Sequence, residues 1–406
     1  MKNKYLGFIL SVEDCEKFIK PNKELINELS KNFEKIYVLN VLNLRSRVKR
    51  CKIINEHFFP SNFECVNFDS SKQFLNFFKN KYFVGIQYLD KNPDFFKIFL
   101  LIKLSKIKNV MIMNLGNLGL SRTVDFNPKN IFAFKHYYQK GFYRLFRILT
   151  ILNIFPKVDV LFESNAELIN SINNGYMKKL EKKFPFLKLS YFQRIEKINS
   201  LFYDEFIKKK ENLKRDNSIL YVDVPIDHGD RIIREGEVSS KTKENYYKNL
   251  SRFLSNLEKI FDKDIVVGVH PSSKDVEKYF SKFHISKERT MDLIHNSEII
   301  IVTHSSLISM MAMLNKKIIS IKSKFLGKFH SNLSKNYVNS LNLCVCDIDE
   351  ETNLDKNNIL EKVNKSINYY EDHINKYVKI DGENLSTQTI VKKLKNIFFN
   401  KERNNY

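Results

Sequence analysis

"EIIIVTHSSLISMMAMLNKKIISI", residues Glu298 to Ile321, holds an apolar run, four small polar or titratable side chains, an oily segment and a second apolar run. Short runs rich in Ile and Val read as buried strands, and the segment between them reads as a crossover helix. Leu307, Met310, Met311 and Leu314 have core spacing, while Ile308, Ala312 and Met313 make the helix apolar nearly all round. Such a helix must be buried. Thr303, His304, Ser305 and Ser306 then stand at the mouth of a parallel β–α–β unit. Hydroxyls and the first amides of a helix there make a compact site for a phosphate. Plain N-capping by Ser305 is the simpler use of one hydroxyl.

The same alternation runs along the chain and predicts an α/β protein with parallel sheets. Strands are expected near Tyr5–Leu10, Lys35–Leu42, Tyr82–Leu89, Val110–Asn114 and Val158–Glu163 in the first half. In the second half they are expected at Ile219–Val224, Ile265–Val269, Ile299–Val302 and Ile318–Ile321. Helices are expected at Pro21–Asn32, Lys243–Phe261, Asp275–Phe280, Thr290–Asn296 and Ser306–Leu314. The charged stretch "FIKKKENLKRDNS" lacks apolar periodicity and reads as a linker. The expected domains are therefore 1–207, 217–355 and a helical tail, 356–406, packing back on the others. Two such sheets in tandem offer ligands a crevice at the carboxyl ends of their strands.

Bulk properties narrow the function. A chain of 406 residues with 43% hydrophobic residues can bury two cores of ordinary size. The formal charge of +22 invites nucleic acid as a partner. The lysines are scattered among Glu and Asp, however, and no zinc finger, RNP-like aromatic strand or dense basic helix accompanies them. No nucleic-acid partner is expected. The five cysteines, Cys15, Cys51, Cys65, Cys344 and Cys346, form no CxxC pair and suit a reducing compartment. The opening "MKNKYLGFILSVEDCEKF" is read as a first buried strand in preference to a signal peptide. A cytoplasmic location follows as the expectation, with peripheral contact at the inner face of the inner membrane.

Two more strand ends carry chemistry. In "SILYVDVPIDHGD", Ser218 to Asp230, Pro225 ends the strand and Gly229 is expected to permit a tight turn. Asp227 then stands where a carboxylate can serve as general base, or simply bond its own backbone. In "DIVVGVHPSSKD", Asp264 to Asp275, a β-branched run delivers His270 and Pro271 to the strand tip, followed by Ser272 and Ser273. A histidine there can donate a hydrogen bond or a proton to an anionic leaving group.

Strand-DxG, strand-His-Pro and strand-Ser-Ser-helix, in this order, resemble the second domain of bacterial GT-B sialyltransferases. The His-Pro and Ser-Ser pairing is also similar to that of capsule Kdo transferases and CDP-glycerol polyol-phosphate transferases. The resemblance covers Ser218 to Ile321, and the second acidic position of the first motif is His228 here. It implies a GT-B fold of two Rossmann-like domains facing across a cleft. It also implies an inverting, metal-independent transferase with no cofactor, moving a sialic-acid-like or Kdo-like sugar from a CMP-linked donor. The acceptor would be a cell-surface glycan, of lipooligosaccharide or capsule. Asp227 would deprotonate that acceptor and His270 would meet the departing phosphate. Gly229, Pro271, Ser272, Thr303, Ser305 and Ser306 would line the nucleotide and its phosphate. The polyol-phosphate transferase and the nucleotide-sugar epimerase are the alternative enzymes, and a non-catalytic carbohydrate-binding protein is the alternative from another class.

The first half is expected to hold the acceptor, with Met113–Thr123 as a candidate acceptor loop or a plain connection. "FKHYYQKGFYRLFRILTILNIF", Phe134 to Phe155, combines Lys135, Lys140, Arg144 and Arg147 with dense aromatic and aliphatic residues. Such a helix either lies on an anionic lipid surface or packs on the first sheet.

Overall fold

The computed structural model describes residues 5–19, 22–45, 60–89, 93–113, 141–142, 144–184, 189–209, 218–270, 273, 277–350 and 354–399. Two all-parallel sheets organise them, with the expected α/β architecture. The first has seven strands: β1 (Tyr5–Leu10), β2 (Lys35–Asn40), β3 (Phe63–Asn67), β4 (Phe83–Tyr88), β5 (Lys108–Met113), β6 (Val158–Glu163) and β7 (Phe192–Lys197). Their spatial order is β3-β2-β1-β4-β5-β6-β7. The second has six: β8 (Ile219–Val222), β9 (Ile265–Gly268), β10 (His284–Ser286), β11 (Ile299–Val302), β12 (Lys317–Lys322) and β13 (Cys344–Asp347). Their order, β10-β9-β8-β11-β12-β13, reverses direction between β8 and β11 as in a dinucleotide-binding sheet.

Strand β11 shows why these segments are strands. Successive side chains point to opposite faces, and both faces are covered. Ile299 and Ile301 enter one core with the helix Ser240–Phe261, while Ile300 and Val302 enter the other with the helix Ile308–Met313. The first of these helices starts earlier than expected, because Ser239 Oγ accepts a hydrogen bond from the Thr242 N–H. The second is shorter than expected: Ser305 Oγ accepts from the Leu307 N–H, and the intervening residues form a turn. In the expected helix Asp275–Phe280, residues 275 and 276 lie outside the described ones and Glu277–Tyr279 make a single 3-10 turn.

Four strands were not expected from the sequence: β3, β7, β10 and β13. The helices Gly229–Glu235 and Gly327–Leu341 were not expected either, while Ser386–Leu394 falls in the expected helical tail. Towards the end of the chain, Lys356–Ile367 and Tyr370–Tyr377 cover the second sheet through Ile359, Val363 and Tyr370.

The chain forms two compact units. One comprises the described residues up to 113, those of 138–201 and those from Ile380 onward; the other comprises those of Phe202–Lys379. The first unit is thus completed by a segment distant in sequence. Ile390, Val391 and Leu394 of the helix Ser386–Leu394 enter its core beside Leu25, Ile26 and Leu29. Fully buried Asn199 fastens this segment: its Nδ2 donates to the carbonyls of Gly382 (2.8 Å) and Asn384 (2.7 Å), and its Oδ1 accepts from the Asp381 N–H at 2.7 Å. Removing the amide loses all three of these hydrogen bonds, each worth about 0.5–1.5 kcal/mol, and leaves a cavity in place of a fully buried side chain. Asn199→Ala is expected to lower the unfolding free energy by about 2–4 kcal/mol in urea titrations. An unchanged midpoint would contradict the clasp.

Candidate functional site

The site is built where the second sheet reverses order. Val222 of β8 pairs with Gly268 of β9 on one side and Val302 of β11 on the other. One residue further, Asp223 and Thr303 emerge together at the strand ends, both buried. The strand β8 ends here, earlier than expected, so Asp223 is a loop residue and not part of the strand. Its Oδ2 accepts from the Ser273 hydroxyl and, at 3.4 Å, from the His270 N–H. Asp223 thereby ties the loop after β9 to the end of β8. Burial pushes its carboxyl above the usual range, and its Oδ1 has no hydrogen-bond partner among the described residues. Tyr221, Tyr246 and Thr303 also bury their hydroxyl oxygens here.

After Asp223 the chain makes a turn closed by the His228 N–H donating to the Pro225 carbonyl at 3.0 Å. Asp227 lies on this turn, half-exposed, and accepts from Lys243 Nζ at 2.7 Å. An ion pair this accessible is worth under about 1 kcal/mol, so Lys243 is displaced at little cost. Gly229 does not serve the turn as expected. It opens the helix Gly229–Glu235, has no positive φ, and a Cβ there would meet nothing within 4 Å.

That helix links the turn to a residue the sequence reading missed. Arg231 donates to the Ile226 carbonyl at 2.9 Å and pairs with Glu235 at 3.4 Å. Glu235 in turn accepts from the Phe329 N–H, which fixes the start of the helix Gly327–Leu341. Gly327 is required for this approach: its φ is +72°, and a Cβ would stand 2.1 Å from the Glu235 carboxylate. Docked this way, the helix presents His330 to His304, with Nδ1 and Nε2 2.7 Å apart and the rings stacked at 5.0 Å. One nitrogen must donate and the other accept, so at least one ring is neutral. Burial drives both below the usual imidazole range, His304 to about 4 and His330 to about 2.

Four histidines therefore gather at these strand ends. The His228 and His270 rings lie 6.0 Å apart, nearly perpendicular, and both are close enough to His304 to oppose its protonation. His270 is itself lowered, by burial first and by His228 second. Of the hydroxyls expected at the site, Ser306 is exposed, Ser305 is half-buried and Thr303 is buried. Pro271 and Ser272 lie outside the described residues, as do Lys135, Lys140 and all but the first residue of the loop Met113–Thr123. Strands β9 and β11, which carry His270 and Ser305, flank β8 and do not touch. No group of three or more His, Cys, Asp or Glu side chains among the described residues is arranged to hold a metal ion.

The first sheet has one comparable group. Glu163 closes β6, and its buried Oε1 accepts from the N–H groups of Ser164 and Asn165, both at 2.8 Å. Its Oε2 has no partner among the described residues, and burial raises the carboxyl to about 7. A carboxylate ending an apolar run was the sequence signal for it.

No family model and no curated protein matches the chain. Solved structures do match in fold. A variant of the wall teichoic acid polymerase TagF superposes with a TM-score of 0.53 at 14% identity, over 97% of this chain and 88% of that one. A second TagF variant gives 0.52 at 14%, over 100% and 90%. A UDP-N-acetylglucosamine 2-epimerase from Methanocaldococcus jannaschii gives 0.51 at 14%, over 97% and 99%. At these identities the likeness is one of fold, the GT-B type of two Rossmann-like units.

Glu163 sets a pH dependence whose sign is determined. Its folded pKa lies above its unfolded value of about 4.5, so its contribution to stability is present below that value and lost as the pH rises through about 7. Glu163→Gln is expected to match the wild type near pH 4.5 and to exceed it by about 3 kcal/mol at pH 8. Equal urea midpoints at pH 8 would show that the carboxyl is not strained there.

Proposed function

We propose that the chain is a metal-independent transferase that uses a nucleotide-activated donor, with the donor's phosphate held at the carboxyl ends of β8, β9 and β11. The supporting observation is the convergence of Asp227, His270, Ser305 and Ser306 on one end of one sheet, at its order reversal. Ligands of doubly wound sheets bind at such points. The donor is a CMP-linked sugar of the sialic acid or Kdo kind, as the motifs of the second half suggest, and the acceptor is a cell-surface glycan.

In the reaction, the acceptor hydroxyl gives its proton to Asp227 after displacing Lys243. The acceptor oxygen attacks the anomeric carbon while the bond from that carbon to the phosphate oxygen breaks, inverting the centre. The departing electron pair stays on CMP. His270 donates a hydrogen bond or a proton to that phosphate, and the hydroxyls of Ser305 and Ser306 share its charge. Burial and His228 lower the His270 pKa. A bound phosphate raises it again, so nucleotide binding takes up a proton and tightens as the pH falls from 7.5 to 6.

A second reading, transfer of a polyol phosphate from a CDP-linked donor, is favoured by the fold likeness to the teichoic acid polymerase. Incubation with CMP-sugars and with CDP-alcohols separates the two by the donor consumed. Calorimetry is expected to show CMP binding better than UDP, and activity is expected to survive EDTA. Asp227→Asn is expected to lower kcat about 10²–10⁴-fold with CMP affinity kept, and His270→Ala to weaken both. Full turnover by the Asp227 variant would remove it as base, and absence of any nucleotide binding would end the proposal.

A further inference from the structure

Two helices of the first unit share an uncovered apolar face. They are Phe96–Leu104 and the helical residues 141–142 and 144–151. Phe99 stacks edge-on against Phe146 at 4.6 Å, which joins the two helices, and Phe96 meets Phe155, beyond the end of the second, at 4.9 Å. Lys103 Nζ donates to Asn153 Oδ1 at 2.5 Å, which brings the end of the first helix to the turn after the second. Six of the eleven large apolar side chains exposed among the described residues lie on this pair or on that turn. Leu104 is 65% exposed, Leu152 62% and Ile148 53%, and Leu145, Ile154 and Phe96 complete the set. A cluster of this kind on a chain's surface marks a contact with something.

The charges around it say what. Residues 96–108 and 141–157 contain seven Lys and Arg and no Asp or Glu, in a chain with 46 acidic residues. Lys97, Lys106, Arg144 and Arg147 are exposed beside the apolar side chains. The acids that flank the two segments are engaged elsewhere: Asp94 accepts from Arg45, and Asp159 accepts from the Asn109 N–H. Apolar side chains with a purely cationic fringe complement a bilayer of anionic lipids, whose headgroups meet the cations while the acyl boundary takes the apolar groups. A protein partner would have to supply both an apolar patch and an unbroken acidic ring. Among the described residues no helix is long and apolar enough to cross a membrane, so the contact would be superficial.

We propose that this face docks the chain on an anionic lipid surface, through Leu104, Leu145, Ile148 and Leu152 with Arg144 and Arg147. The proposal stands apart from the transferase reading, since it concerns a different unit and no catalytic group.

Flotation of the full chain with vesicles of phosphatidylglycerol and phosphatidylcholine tests it, with phosphatidylcholine alone as the comparison. The chain is expected to float with the anionic vesicles at low salt and to release as salt rises. Arg144→Glu with Arg147→Glu is expected to weaken binding at least about 25-fold, roughly five-fold for each charge neutralised. Ile148→Asp with Leu152→Asp is expected to abolish it. All four side chains are exposed, and unchanged thermal midpoints confirm that the variants fold. Failure to bind anionic vesicles at low salt, or binding that both variants leave intact, would overturn the proposal. So would self-association in sedimentation that the same variants abolish without any vesicle binding.

Discussion

Parallel pairing at the centre of the second sheet governs what the rest of that unit can do. Because β8 has β9 on one side and β11 on the other, the chain leaving β8 must turn away from both neighbours. The three loops then diverge and leave their first residues facing a common space. Asp223 makes this geometry rigid, since one carboxylate oxygen collects a hydroxyl and an amide from the loop after β9. His270 owes its position to that bond, and Thr303 stands beside it through strand register alone. Fully buried apolar strands beneath hold the whole row still.

The ionisable groups follow one physical rule. Each sits where water is scarce, so its charged form is disfavoured: Asp223 and Glu163 shift up, and His270, His304 and His330 shift down. A group that burial keeps from charging responds strongly when a ligand of opposite charge arrives. The His304–His330 pair carries this furthest, because His330 is backed by a helix that Arg231, Glu235 and Gly327 hold in place. A shift in that helix would be felt at His304 directly.

Buried strands were legible because they are continuous runs of β-branched and aliphatic residues; β1, β6 and β11 begin and end where the sequence suggests. The edge strands β3, β7, β10 and β13 were not. They carry exposed or half-exposed residues such as Glu64, Arg194, His284 and Val345, which blur any period of two. Motif residues that follow a strand in sequence could be named in advance. Lys243 and His330 could not, because each arrives from a helix whose docking depends on distant residues. Asp223 was hidden by valines on either side, which make it look like strand interior. Gly229 misled in the opposite direction, since a glycine after Pro and Asp suggests a turn that Asp227 and His228 complete without it.

The return of residues 380–399 to the first unit has a consequence for synthesis on the ribosome. Until those residues emerge, Leu25, Ile26 and Leu29 have no Ile390, Val391 or Leu394 to meet, and the Asn199 amide has nothing to grip. All of Phe202–Lys379 must be translated first. The nascent chain therefore carries an open greasy seam for the whole of that interval, a natural target for chaperones and a point where translational stalling would favour clumping over maturation.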